Sequence, residues 1–428
     1  MRLTKTSILL GEPVWVDVIV TNRTSEPLRI DMGNACFGRR PLQVEIPEAE
    51  PGSGEHKRCG LIGGSCLSAG PYLLDSGNSL TWRYVVDGDF RITHPGTYRV
   101  LLQKKINYAV AVPGESYQFM GNAPEQTAKE TVLLEVRPAD PAKLLTIEQA
   151  LVAEVTAPYA EPPLPAAALP ATPDSEARRK ALEARQYETM VKLAARAAIA
   201  EGLANFPVAG MEPVFNDWLI NDGGFGYGLL ALQKLNTPES RRLVAQAADP
   251  PEDLFRQWRR HSYFADRPSA ETVAKLSFSN WQARAVHALS EMGDRSYLHM
   301  LEKLSGDTSW EVRQQATLGL GLVGGESELP KLIALAQSAT NTRDRSNAIQ
   351  AMGDTASLKA VPLLIAFFTL KNADEPSRST FALATITHYS PPPSDARTIQ
   401  ESQALWWDWW EHNNDNARAY GPFECSAE

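Results

Sequence analysis

The chain has 428 residues, 43% of them hydrophobic and 22% charged, which gives room for two or three domains with packed cores. Its formal net charge of −9 makes it a poor default binder of nucleic acid or anionic membranes, because phosphate is held by clustered Lys and Arg; a local basic face is compatible with that sign. No run of about 18 apolar residues occurs, so no membrane-spanning helix is expected, and Met1 to Leu10 lack the apolar stretch of a signal peptide.

Residues 1–138 alternate with period two. Val14, Val16, Val18 and Val20 share one face, and Trp15, Asp17 and Thr21 share the other. The pattern returns at Leu42, Val44 and Ile46, at Leu80, Trp82, Tyr84 and Val86, at Tyr98, Val100 and Leu102, and at Val132, Leu134 and Val136. Alternation of this kind marks strands buried on one face. Turn signals at Gly11-Glu12-Pro13, Asn22-Arg23-Thr24-Ser25, Asp87-Gly88-Asp89 and His94-Pro95-Gly96 separate them. Six or seven such strands predict an antiparallel β-sandwich. Arg2 to Leu10 already reads as strand, so Met1 reads as an internal start. On that reading the protein is exported to the periplasm or beyond; with Met1 as the true start it is cytoplasmic.

Cys36, Cys59 and Cys66 lie in this part, and Cys425 lies near the C-terminus. Cys59 and Cys66 bound a Gly-rich loop, Cys-Gly-Leu-Ile-Gly-Gly-Ser-Cys. They are either unpaired thiols or a small disulfide in an oxidising compartment. A zinc site needs four ligands at tight spacing, and with His56 the set is irregular.

Two pieces, Leu10-Gly11-Glu12-Pro13-Val14-Trp15-Val16-Asp17-Val18 running into Val20-Thr21-Asn22, and Pro95-Gly96-Thr97-Tyr98-Arg99-Val100, resemble bacterial immunoglobulin-like domains, including those similar to the intracellular proteinase inhibitor type. The resemblance implies fold rather than activity.

Residues 139–173 read as a linker. Leu145 to Val155 suits a short helix, and the Pro- and Ala-rich stretch from Ala157 to Pro173 blocks both helix and ladder. From 174 to 428 the period is helical. Asp174 and Ser175 suit the cap of a helix running to Leu203, a second helix covers Met211 to Ile220, and Thr237-Pro238-Glu239 has the chemistry of a helix start.

Gly293, Gly324 and Gly353 anchor a repeat. Relative to them, aligned columns hold Leu289, Leu320 and Ile349; Met292, Val323 and Met352; Leu298, Leu329 and Leu358; Leu301, Leu332 and Val361; and Leu304, Leu335 and Leu364. All are apolar, at the spacing of two amphipathic helices with a break between them. A period near 30 residues predicts a right-handed stack of helix pairs, since one pair cannot bury its own apolar face. A fourth copy starts near Pro376, with Ala382, Leu383 and Ile386 in register, and Pro391-Pro392-Pro393 interrupts its second helix.

Asp307-Thr308-Ser309-Trp310-Glu311-Val312-Arg313-Gln314-Gln315-Ala316 resembles the HEAT signature, Trp281-Gln282-Ala283-Arg284-Ala285-Val286 fits it, and Arg343-Asp344-Arg345-Ser346-Asn347-Ala348 fits more loosely. The clearest repeats span 280–370. Within 404–412, Trp406, Trp409 and Trp410 fall on one helix face, as in the Trp-x-x-Trp-Trp ending of bacterial HEAT-repeat proteins. They form either a cap that seals the last repeat or an exposed aromatic platform.

No metalloprotease helix, P-loop, nucleophile elbow or strand-linked Gly fingerprint occurs. Gly223-Gly224-Phe225-Gly226-Tyr227-Gly228 follows a helix and reads as a loop between helices. His56, His94, His261, His287, His299, His388 and His412 are scattered, although His287 and His299 could meet across one helix pair. Asp87-Gly88-Asp89 reads as a turn rather than a calcium loop.

The fold class expected is therefore multi-domain: an all-β immunoglobulin-like sandwich followed by an all-α HEAT-type solenoid. The function expected is a non-enzymatic scaffold for a protein or peptide partner, with no catalytic residue, metal or cofactor. Its candidate binding residues are Tyr297, His299, Lys303, Lys331 and Lys359 on the second helices, together with Trp406 and Trp410. Three alternatives stand beside it. One is a lyase- or glycosylase-like enzyme of HEAT fold, which needs an acid and base cluster that the sequence does not display. Another is a nucleic-acid binder using the basic-aromatic cluster at 256–263, Arg256-Gln257-Trp258-Arg259-Arg260-His261-Ser262-Tyr263, flanked by Asp249, Glu252, Asp253 and Asp266. The third is proteinase inhibition through a sandwich loop, with Cys59 to Cys66 as the candidate.

Overall fold

The structure, a computed structural model, describes residues 1–31, 42–51, 72–86, 90–111, 124–157, 195–221, 226–261, 271–369, 374–389 and 398–421. The readings of the four cysteines, His56, Asp87-Gly88-Asp89, the helix start at Asp174 and Pro391-Pro392-Pro393 fall outside the described residues. The described residues up to Gly210 form one compact unit, and the described residues from Met211 onward form a second.

The first unit is β-rich: β1 (Arg2–Leu3), β2 (Ser7–Leu9), β3 (Trp15–Thr21), β4 (Leu28–Asp31), β5 (Gln43–Glu45), β6 (Glu50–Pro51), β7 (Tyr72–Leu74), β8 (Ser79–Val85), β9 (Phe90–Arg91), β10 (Gly96–Val110) and β11 (Glu125–Arg137). One sheet runs β1-β3-β8. A larger one runs β2-β11-β10-β4-β7, with β5 also on β10, and β6 pairs with β9. All these pairings are antiparallel except β2 with β11. The period-two rows meet as expected: Val16 and Val18 from one sheet share a core with Val100, Leu102 and Leu134 from the other. The inner row of β10 then continues to Lys104, buried, with its ammonium 5.3 Å from the Tyr84 ring centroid. Burial pushes this lysine down to about 8, against the pull of Asp31.

The outer face of β3 departs from the alternation. Trp15 and Asp17, expected to face solvent, are both buried. Helix α2 at 195–205 covers Trp15, whose indole N–H donates to the Ala198 carbonyl at 2.9 Å. Gly202 lies so close that a Cβ there would stand 2.7 Å from the indole. Asp17 is held by Arg83, whose Nε and Nη2 donate to its two oxygens at 2.8 and 3.3 Å.

Helix α1 (Pro141–Thr156) is started by Asp140, whose side chain accepts from the Lys143 amide, and by Pro141 in its first turn. It spans Leu145 to Val155 and adds residues at both ends. Glu148, buried on α1, accepts from the Val208 amide at 3.2 Å.

The second unit is helical: α3 (Glu212–Asn221), α4 (Tyr227–Leu235), α5 (Pro238–Ala248), α6 (Glu252–His261), α7 (Glu271–Glu291), α8 (Leu298–Leu304), α9 (Trp310–Gly324), α10 (Leu329–Ser338), α11 (Thr342–Asp354), α12 (Ala360–Ala366), α13 (Asp374–Thr387) and α14 (Ile399–Asn413). Thr237 caps α5 as its sequence indicated, accepting from the Ser240 amide. Gly228 allows α4 to lie on the backbone of α3, where a Cβ would stand 2.4 Å from the Phe215 carbonyl oxygen.

The first helices α7, α9, α11 and α13 pack on one another through small residues. A Cβ on Gly319 would meet Ser290, one on Gly321 would meet the Ala351 backbone, and one on Gly353 would meet Ala382. Of the fifteen residues in the aligned columns, only Leu298, Leu335 and Leu358 are partly exposed. Ala382, Leu383 and Ile386 of the fourth copy are buried as well. The break between helices sits slightly off the expected anchors. The left-handed residues are Gly293, Gly325 and Ala356, whereas Gly324 and Gly353 are helical. Gly353 is spent on packing against Ala382 and not on a turn.

Candidate functional site

The lysines expected to bind a partner are joined to acids, mostly of the preceding repeat. Lys303 on α8 reaches Asp249 at the end of α5, at 2.6 Å. Lys331 on α10 bonds Glu302 on α8 and also Glu328 at 2.9 Å. Lys359, just before α12, reaches Glu326 at 2.6 Å, and the Ser357 hydroxyl donates to the same carboxylate. Hydrogen bonds from Lys331 and Lys359 hold the Glu302 and Glu326 carboxyls below the usual range. His299 is exposed, 3.7 Å from Glu302. Tyr297 is half-buried in the turn before α8, and that burial raises its hydroxyl pKa. The structure therefore brings Glu302, Lys331 and Glu328 into one chain of charges with His299 beside it, a ladder that ties the second helices together. The sequence displayed the lysines but not their partners about 30 residues away.

Arg313, from the HEAT-like stretch, makes a second ladder on the first helices. Its guanidinium donates to the carbonyls of Asp307 and Thr308 and reaches Asp344 at 3.3 Å. Arg345 donates to the carbonyls of Ala336 and Ala339. Arg313 thus links the start of α9 to the start of α11, and Arg345 ties α11 to the end of α10.

Trp406 is wholly buried and offers no contact surface, which corrects its place among the candidate binding residues. Tyr389 stands edge-on to Trp406 and stacks on Trp409, both at 5.2 Å, while Gln403 donates to the Ile365 carbonyl. The Gln403 bond holds α14 against α12. Trp410, beside Trp409, is half-buried. Trp258 is likewise buried, inside a run of rings formed by Phe255, Trp258, Phe278 and Trp281. The cluster at 256–263 therefore offers arginines without that indole.

One surface pair escaped the sequence reading. Trp310, in the first turn of α9 after the Ser309 cap, is 39% exposed, and the Arg343 guanidinium of the next repeat lies 4.0 Å over its ring. The visible signal was a tryptophan placed directly after a helix cap, where packing does not call for one.

Residues 272–353 match the family model of HEAT repeats. The matched segment runs from α7 to α11, and so contains the Gly319 and Gly321 contacts, the Arg313 ladder and the Trp310–Arg343 pair. No curated protein is detectably similar to the chain. Helices α3 to α6 and α12 to α14 lie outside the match.

Local partners also account for the described histidines whose side chains could join chemistry. His287 lies 3.2 Å from Glu291, His388 stacks on Tyr420, and His412 lies 3.6 Å from Asp408. Among the described residues no three His, Cys, Asp or Glu side chains gather as a metal site, and no helix is long and apolar enough to cross a membrane.

Proposed function

We propose that the chain is a non-enzymatic scaffold that binds a protein or peptide partner on its HEAT-type region, behind an immunoglobulin-like β-sandwich. The observation that carries the reading is the exposed Trp310 stacked under Arg343 on that repeat stack. Stacked helix pairs offer an extended surface, and Trp and Arg are the side chains that most often concentrate binding energy. The lysines of the second helices are neutralised by their ladder, so they serve the scaffold's rigidity. The immunoglobulin-like reading draws support from Tyr98, whose hydroxyl donates to the His94 carbonyl at 2.7 Å, a corner bond of the kind such sandwiches use. The reading assigns no catalytic residue and no cofactor.

The test is affinity capture with the whole chain, repeated with Trp310→Ala and Arg343→Ala. A partner captured by the parent and lost from both variants, at unchanged melting temperature, supports the reading. A parent chain that captures nothing under native conditions counts against it.

A further inference from the structure

Helix α6 carries a basic face outside the repeat packing. Leu254 and Trp258 bury one side of it. Asp253, Arg256, Gln257 and Arg260 stand on the other, at the spacing of a single helix face. An open hollow of about 520 Å³ runs along them, and Arg259 also lines it. The helix dipole accounts for Glu252 and Asp253 in the first turn and for Arg259 and Arg260 in the last. It does not account for Arg256 in the middle, which is exposed. Among the described residues that line it, Arg256, Arg259 and Arg260 stand with Asp253, a local excess of positive charge in a chain whose net charge is −9.

We propose that this hollow is a docking site for an acidic peptide segment of a partner protein. The inference rests on the scaffold reading and adds to it a second place and a partner chemistry. A guanidinium presents a planar fork that matches a carboxylate with two parallel hydrogen bonds. The hollow is the size of a small-ligand pocket, roughly 300–1,000 Å³, which takes a few side chains rather than a duplex. Nucleic acid fits it less well. Trp258, whose ring would stack on a base, is in the core.

The experiment titrates the whole chain into a fluorescein-labelled Glu/Ser peptide at low ionic strength and follows anisotropy, with an oligothymidylate of equal charge in parallel. The peptide is expected to bind, to weaken with added salt, and to bind at least about tenfold more weakly to Arg256→Glu/Arg260→Glu. Should that charge reversal disturb folding, Arg256→Gln/Arg260→Gln reads the same contact. An absence of peptide binding, binding unchanged in the substituted chains, or tighter binding of the oligothymidylate overturns the proposal. Peptide failure beside successful partner capture removes this inference alone; failed capture beside peptide binding at these arginines removes the Trp310 surface and leaves the hollow.

Discussion

Trp15 on β3 donates its indole N–H to the carbonyl of Ala198, 183 residues further along the chain, at 2.9 Å. A strand that reads as open on one side is thereby closed by a helix, and Gly202 is the residue that lets the helix approach. Trp15→Ala should destabilise the first unit by about 3–5 kcal/mol through the cavity it leaves. Trp15→Phe should cost less, about 1–2 kcal/mol, as it keeps most of the ring and leaves the Ala198 carbonyl without this donor. Gly202→Val should be damaging too, because its Cβ would stand 2.7 Å from a rigid ring. Denaturant unfolding of the three variants checks the order.

These two residues also mark where the sequence stops being legible. The columns Leu301, Leu332 and Val361 were readable because a period near 30 residues repeats the same burial three times. The covering of Trp15 was not, since period-two alternation reports which face meets the opposite sheet and is silent about a helix arriving from far along the chain. The lysine ladder was half legible. Lys331 stands off the apolar face as expected, but its bond to Glu302 depends on how far one repeat is rotated against the next. The turn positions slipped because glycine serves two purposes: left-handed backbone at Gly293 and Gly325, close helix contact at Gly353.

Glu148 should give the first unit a distinctive pH dependence. It is 1% exposed, and burial pushes its carboxyl from 4.5 up to about 7, against the hydrogen bond from Val208. Between those values the folded chain holds a proton that the unfolded chain has released, so this group's contribution falls as pH rises from 4.5 to about 7. Glu148→Gln can still accept from Val208 and cannot ionise. It should be more stable than the parent above pH 7 by roughly 1–3 kcal/mol, and equal to it in acid. Urea unfolding of both chains across that window reads the difference; parallel curves would sink the idea.

The glycine contacts of the HEAT segment should be intolerant of a single methyl group. A Cβ at Gly321 would stand 2.1 Å from the Ala351 carbonyl oxygen, which is backbone and cannot step aside without moving a helix. Gly321→Ala should cost at least about 1–3 kcal/mol. Gly306, in the turn after α8, has room, its nearest contact being 3.6 Å, so Gly306→Ala should be close to neutral. Thermal melts of the pair separate helix-to-helix contact from a general dislike of alanine.

Leu332 and Lys331 are neighbours in sequence and opposites in role, which makes α10 the sharpest test of the repeat register. Leu332 is fully buried between neighbouring repeats, and Lys331 is 43% exposed at its side chain. Leu332→Ala removes packed atoms that the stack cannot refill, and should cost about 2–5 kcal/mol. Lys331→Ala breaks the bonds to Glu302 and Glu328; Glu302 returns to water, whereas the Glu328 side chain is only 12% exposed, so the loss should be about 1–2 kcal/mol, still below that of Leu332→Ala. Salt separates the two further. Screening weakens an exposed ion pair, so the cost of Lys331→Ala should shrink at high ionic strength while that of Leu332→Ala stays constant. Chemical denaturation at low and high salt measures all four values. If Lys331→Ala proved the more damaging, the ladder would be carrying the stack and the apolar columns would not; a salt-independent loss at Lys331 would point instead to packing of its aliphatic stem.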